Sequence, residues 1–124
     1  GRAGWPVRER DIESWSGRKA KEAGWWHRKF TSPGNRSVPD RVFARHGRVF
    51  WVEFKATGQK PTELQEDEHR KMRSAGLTVY WTDSRDGFAF ILAMEESGDW
   101  GVCDTTEGYG VTGDKPDLKF HTYD

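Results

Sequence analysis

Two carboxylates and one ammonium group in this sequence are spaced so that a β-hairpin could bring them together. Asp40 follows directly after Pro39, where a loop leads into a predicted strand. Glu53 and Lys55 lie two residues apart in the next apolar segment, so both side chains would project from one face of a strand. A Glu-x-Lys pair alone is more typical of a solvated strand face, and an Asp after Pro of a turn. The combination of the two features is much more specific.

Oxygen ligands of this kind suit a hard divalent cation. Asp40, Glu53 and the backbone carbonyl of Phe54 could together hold Mg²⁺ or Mn²⁺. Such an ion lowers the pKa of a bound water and polarises a phosphoryl oxygen. Lys55, next to the ion, could orient the attacking water or stabilise the additional negative charge of the transition state. The arrangement therefore indicates hydrolysis of a phosphate ester.

A hairpin must position these groups. Its strands are predicted at Arg41–Arg45 and Val49–Lys55, joined around His46 and Gly47. In the second strand, apolar side chains alternate with side chains that could do chemistry. The two faces consist of Phe50, Val52 and Phe54 on one side and Trp51, Glu53 and Lys55 on the other. The apolar face would anchor the strand in the core.

The segments before the hairpin are predicted to contain one helix and one short strand. Val7–Ala23 has a partial apolar stripe at helical spacing, with Pro6 near its start, and predicts a first helix. Trp25–Phe30 could form a short strand. The Pro, Gly, Asn and Ser residues of segment 31–40 are typical of a loop.

The segments after the hairpin complete an α/β fold with a mixed central sheet flanked by helices. Thr62 and Gln65 fit a capping box, so a second helix is predicted at about Glu63–Ala75. Leu77–Trp81 predicts a further strand, and the strand–helix–strand order implies a parallel pair. The predicted order is thus α-β-β-β-α-β. Phe88–Met94 fits helix or strand, and we favour a helix.

Length and composition indicate one compact domain. Of the 124 residues 34% are hydrophobic, and seven Trp and seven Phe must supply much of the buried area. We expect the domain to span residues 1–96, with residues 97–124 as an extension of unknown role packed on it. No apolar segment approaches the length of a bilayer span and no signal-peptide pattern opens the chain, so we expect no membrane role. The single cysteine, Cys103, favours a reducing, cytoplasmic setting.

Charge is unevenly distributed, although the formal net charge is zero. Residues 1–62 have 14 Lys and Arg against 6 Asp and Glu, a net charge of +8. Residues 63–124 have 6 against 14, a net charge of −8. Such asymmetry favours a basic surface that meets an anionic partner. The alternative is that the two halves pair with each other in the fold.

The segment around Asp40 and Glu53 resembles the VRR-NUC branch of the PD-(D/E)xK nucleases, closest to its small stand-alone phage and bacterial members. The resemblance extends from about Arg8 to Asp83. It rests on S-P-G-N-R-S-V-P-D, on V-F-W-V-E-F-K-A-T-G-Q-K-P-T-E-L-Q and on A-G-L-T-V-Y-W. Ser37 stands where the family typically has Gly. The resemblance implies a restriction-endonuclease-like core.

The resemblance also implies roles for individual residues. Asp40 and Glu53 match the family's two metal-binding acids, and Lys55 matches its catalytic lysine. Gln65 matches the glutamine that begins the following helix. The family further has a glutamate on the first helix that reaches the metal. Glu13 is its best match, and Glu9, one turn earlier on nearly the same face, is a rival.

From this resemblance we expect a Mg²⁺- or Mn²⁺-dependent, structure-selective DNA endonuclease that leaves 5′-phosphate ends. Stand-alone members are similar to Holliday-junction resolvases, which act as homodimers. Symmetric cleavage of a junction needs two sites related by a two-fold axis. The alternatives are a nicking or flap endonuclease of the same superfamily, a non-catalytic DNA-binding module, and a protein whose acidic half binds a basic partner.

Basic and aromatic residues near the site are candidate DNA contacts. The phosphate contacts would be Lys29, Arg36, Arg41 and Lys60. Such contacts give affinity without base specificity, and ordinary surface charge is the alternative for each. Trp25 and Trp26 could stack on unpaired bases, although we expect at least one of them to pack in the core.

Overall fold

The computed structural model describes residues 6–97, and these form a mixed four-stranded sheet with three helices. The elements in chain order are α1 (Glu9–Glu22), β1 (Trp26–Lys29), β2 (Arg41–Arg45), β3 (Arg48–Phe54), α2 (Glu63–Ser74), β4 (Val79–Thr82) and α3 (Arg85–Ser97). The predicted class and element order are confirmed, and the segment at 88–94 is a helix. Beyond Ser97, the predicted C-terminal extension lies outside the described residues. Within residues 6–97, no helix is both long and apolar enough to cross a membrane.

The sheet has the order β1-β2-β3-β4, and its strands pair in two ways. β1, β2 and β3 are antiparallel neighbours, whereas β3 and β4 are parallel, as the strand–helix–strand order predicted. The β2–β3 turn has both central residues in the left-handed region, His46 with φ 50° and Gly47 with φ 82°. Two such residues form the tight turn whose twist suits a hairpin. The turn sets the register that aligns Phe43 with Phe50.

Aromatic rings fill the core between the sheet and the helices α1 and α3. Phe43 and Phe50 stack with ring centroids 5.0 Å apart, and Phe88 of α3 lies 5.2 Å from Phe43. Trp25, just before β1, packs edge-on against Phe50 at 5.1 Å. These contacts lie on the apolar face predicted for β3, which therefore anchors the strand as expected.

The second helix is fixed at both ends by backbone and side-chain hydrogen bonds. The Thr62 hydroxyl accepts from the Gln65 N–H, and the Gln65 side chain accepts from the Thr62 N–H, so the predicted capping box is present. At the other end, Leu77 N–H donates to the Met72 carbonyl at 3.0 Å. Because Leu77 takes part in this helix ending, β4 begins at Val79, two residues later than predicted.

Candidate active site

Strand β3 presents Glu53 on the sheet face opposite the aromatic core. Its neighbours Val52 and Phe54 are fully buried in that core. Glu53 is nevertheless only 2% exposed, because α2 lies over this part of the sheet. Lys55 continues the strand direction, and its N–H donates to the Thr82 carbonyl at 2.9 Å. The predicted alternation of apolar and polar side chains along β3 therefore holds, and α2 partly encloses the polar face of the strand.

Asp40 is held beside Glu53 by two backbone hydrogen bonds. The Asp40 carbonyl accepts from the Phe30 N–H at 2.8 Å, which ties the loop end to β1. Its carboxylate Oδ2 accepts from the Phe54 N–H at 2.8 Å, which ties the side chain to the end of β3. In this position the carboxyl groups of Asp40 and Glu53 lie close enough for each to influence the pKa of the other. The two predicted acids thus meet at one end of the sheet.

We expect the two acids to share one proton, because Glu53 is buried, Asp40 is half-buried and the two groups lie close together. Burial, followed by the charge of Asp40, raises the pKa of Glu53 to about 9, while Lys55 acts in the opposite direction. Burial also raises the pKa of Asp40, against the hydrogen bond from Phe54, which lowers it. Near neutral pH these shifts favour the protonated form of Glu53 beside the Asp40 carboxyl group.

Gln65 links the start of α2 to Glu53. Its Oε1 accepts from the Thr62 N–H at 2.9 Å, and its Nε2 donates to Glu53 Oε2 at 3.3 Å. The capping box therefore fixes the amide group with its donor side toward the acid. The structure places Gln65 in direct contact with the Asp40–Glu53 pair.

His69 is part of the site and was not among the predicted residues. It lies one turn after Gln65, is fully buried, and places Nε2 3.7 Å from Glu53 Oε1. Burial, followed by the charges of Arg73 and Lys55, lowers the pKa of His69 to about 3, so the imidazole is neutral. The sequence signal was its four-residue spacing from Gln65, which puts both side chains on one helix face.

The predicted helix acid Glu13 is neutralised by two cations. Its Oε2 accepts from Arg41 Nε at 2.7 Å and from Lys29 Nζ at 3.3 Å. Glu13 is buried, whereas Lys29 is exposed. Lys29 and Arg41, two of the four predicted phosphate contacts, therefore form ion pairs with an acid of the protein itself.

The rival acid Glu9 is half-buried at the start of α1 and lies within electrostatic range of Asp40 and Glu53. Burial, followed by the charge of Asp40, raises the pKa of Glu9, and Lys55 is the main influence that lowers it. Glu9 in turn contributes to the raised pKa of Glu53. None of the ion pairs found within residues 6–97 includes Glu9.

The remaining predicted DNA contacts are exposed. Arg36 lies in the loop before Asp40 and Lys60 in the connection between β3 and α2, and neither takes part in an ion pair of the described chain. The two adjacent tryptophans have opposite environments, since Trp25 is 3% exposed and Trp26 is 49% exposed. One of them packs in the core, as expected.

Comparison with known proteins finds similar proteins by sequence and by structure. "Putative nuclease p44" of Acyrthosiphon pisum secondary endosymbiont phage 1 is 41% identical over 89 residues, which cover 71% of this chain and 96% of the phage protein. A solved structure described as a VRR_NUC domain superimposes with a TM-score of 0.63, covering 68% of this chain and 94% of that one. The chain belongs to the same family as the phage protein. The solved VRR_NUC domain is 23% identical and shows the fold, and no family model matches the sequence.

The residues of this site fit a divalent metal ion. Glu53 Oε1 is buried without a hydrogen bond, and the Asp40 carboxylate lies beside it. Among residues 6–97, no three His, Cys, Asp or Glu side chains are grouped closely enough to hold an ion by themselves. Two carboxylates supplemented by a carbonyl and water are the kind of ligand set that Mg²⁺ uses, because it retains several waters.

Proposed function

We propose that this protein is a Mg²⁺- or Mn²⁺-dependent DNA endonuclease that hydrolyses phosphodiester bonds. The observation that carries the proposal is the Asp40–Glu53 pair at the end of the sheet, with Lys55 following on the same strand. Structural ion pairs do not explain a buried Glu53 beside a half-buried Asp40, whereas a divalent cation does. The relative named as a nuclease, covered over nearly its whole length, supports this reading.

In the proposed mechanism, Asp40, Glu53 and the Phe54 carbonyl would hold the ion, which would supply an acidified water and a polarised phosphoryl oxygen. Asp40 is kept in place by the Phe54 N–H, and Glu53 by Gln65. Glu53 would have to release its proton to bind an ion, so binding of the ion should strengthen as pH rises. Lys55 stabilises the negative charge that develops on the phosphate, because its ammonium group lies within electrostatic range of Glu53.

Of the two helix acids, we propose that Glu9 completes the site and that Glu13 has a structural role. Glu9→Gln is expected to lower the Mg²⁺-dependent cleavage rate at least tenfold, because it removes an acid that lies within electrostatic range of Asp40. Its folding stability should change little. The measurement is the rate at several Mg²⁺ concentrations, since loss of a ligand or of a ligand's hydrogen-bond partner raises the concentration needed for half activity.

Glu13→Gln is the matched variant one turn along α1. It leaves the partly buried Arg41 without its charge partner, so we expect a loss of about 1–3 kcal/mol in unfolding free energy. The Mg²⁺ concentration for half activity should stay near that of the wild type. The reverse pattern, with Glu13→Gln changing the Mg²⁺ response and Glu9→Gln only the stability, would reassign the role to Glu13.

The proposed substrate is branched DNA, and the proposed assembly is a homodimer that resolves Holliday junctions. Exposed Arg36 and Lys60 would contact phosphates without reading bases. Lys29 and Arg41 would add positive potential that Glu13 offsets only in part. Side-by-side cleavage of a four-way junction, a flap and a duplex of shared sequence tests this. Paired symmetric nicks in the junction support a resolvase, whereas faster flap cleavage or single nicks support the alternative endonuclease.

A further inference from the structure

One face of the sheet is covered by α2 only on its β3–β4 side. Val79 and Trp81 of β4 are buried there. Away from α2, Trp26 of β1 and Val49 at the start of β3 are exposed, at 49% and 44%. The strand register places further side chains on this same face. We call the uncovered part the open face, and it consists of Trp26, Arg28, Phe30, Val42, Ala44, Val49 and Trp51.

The open face begins at the proposed catalytic acids. Phe30 donates its N–H to the Asp40 carbonyl, so the two residues are neighbours across β1 and β2. The Phe30 ring is 39% exposed and meets the Trp51 ring edge-on at 4.9 Å. Trp51 precedes Glu53 by two residues on the same face of β3. An exposed aromatic surface therefore lies directly beside the Asp40–Glu53 pair.

The charge of the open face suits a polyanion. Arg28 lies over the Trp26 ring, with its guanidinium carbon 5.0 Å from the ring centroid. Arg28 is exposed, and none of the ion pairs found in the described part of the chain includes it. The open face contains no Asp or Glu. Aromatic rings next to an unneutralised guanidinium are the groups that stack on nucleobases and attract phosphates.

We infer that the open face binds unpaired nucleotides of the DNA strand next to the scissile phosphate. This inference rests on the proposed function, because it takes Asp40 and Glu53 as the cleavage site. Bases would stack on Phe30 and Trp26, and Arg28 would contact the backbone. Bases in an intact duplex have no free ring faces, so the open face makes the protein select DNA whose bases next to the cleavage site are unpaired or separated, as in a single-stranded arm or at the branch point of a junction.

The test compares two DNA molecules of the same sequence, one fully paired and one with a single-stranded arm, both bound in Ca²⁺. Trp26→Ala and Phe30→Ala are each expected to weaken binding of the single-stranded-arm DNA about tenfold and duplex binding less than twofold. Phe90→Ala is the matched control, because Phe90 is 41% exposed on α3, away from the open face. It should change neither affinity. Arg28→Gln keeps the strand intact and should lower the salt dependence of single-stranded-arm binding.

An equal loss of affinity for both DNA molecules, or no loss, would overturn the inference. Dissociation of a dimer by Trp26→Ala, seen in sedimentation, would also overturn it, because a second copy would then cover the open face. Loss of the proposed function has a different signature. If the wild type cleaves no DNA with Mg²⁺ or Mn²⁺ but still binds through Trp26, the endonuclease proposal fails and the binding surface stands.

Discussion

Replacing Glu53 by glutamine is expected to stabilise the metal-free protein by about 3 kcal/mol at pH 7. The folded chain keeps a proton on Glu53 up to a pKa of about 9, whereas the unfolded chain releases it near 4.5. This contribution to stability is therefore fully present below pH 4.5 and is lost as the pH rises toward 9. The glutamine side chain would have nearly the same shape, could donate to Asp40 as the protonated acid can, and would not titrate.

Chemical denaturation at pH 4, 7 and 9 measures this effect. The difference in unfolding free energy between the variant and the wild type should be small at pH 4 and grow with pH. Glu22→Gln, at an exposed position at the end of α1, is the control and should stay within about 0.5 kcal/mol at every pH. Added Mg²⁺ should stabilise the wild type and not Glu53→Gln. A Glu53→Gln variant less stable than the wild type at pH 9 would contradict the shared-proton description.

Replacing Lys55 by methionine is expected to lower the single-turnover cleavage rate by about 10³-fold. Lys55 is half-buried, and its charge is the main influence that lowers the pKa of Glu53. Methionine preserves the apolar stem and removes the cation that would stabilise the transition state. Binding of DNA in Ca²⁺ should fall by less than about threefold, because a single phosphate contact contributes little at moderate salt.

Lys60→Met separates a rate effect from an affinity effect. Lys60 is exposed five residues farther along the chain and is proposed to contact phosphate. Its replacement should weaken binding and flatten the salt dependence, while the rate at saturating protein stays near that of the wild type. A similar loss of rate in both variants would mean that Lys55 acts only through DNA binding.

Much of the fold followed from local patterns. The alternation in β3 fixed which face is apolar, and Phe50, Val52 and Phe54 are fully buried as predicted. The capping box at Thr62 located the start of α2 to the residue. Such patterns are dictated by backbone periodicity and hydrogen bonding within a few residues, so they can be deduced without tertiary contacts.

The sequence predicted that the two central acids of the site would meet, but not the contacts of the residues around them. Asp40 and Glu53 meet as the hairpin geometry predicted, because strand register couples them. The ion pairs of Glu13 join residues 16 and 28 positions apart, on three different elements, and no local pattern encodes how those elements pack. His69 was missed because its role depends on which face of α2 meets the sheet.

Cleavage of a labelled four-way junction by the wild type and Asp40→Asn, in Mg²⁺, Mn²⁺, Ca²⁺ or EDTA, tests the central claim most directly. Asp40→Asn keeps an oxygen that can accept from the Phe54 N–H and removes the charge that would hold an ion. We predict cleavage to 5′-phosphate ends by the wild type in Mg²⁺ or Mn²⁺ only, and a loss of at least 10³-fold in the variant. Cleavage that persists in EDTA, or undiminished cleavage by Asp40→Asn, would contradict a metal site at Asp40 and Glu53. Junction binding without cleavage in any metal would instead favour a non-catalytic DNA-binding module.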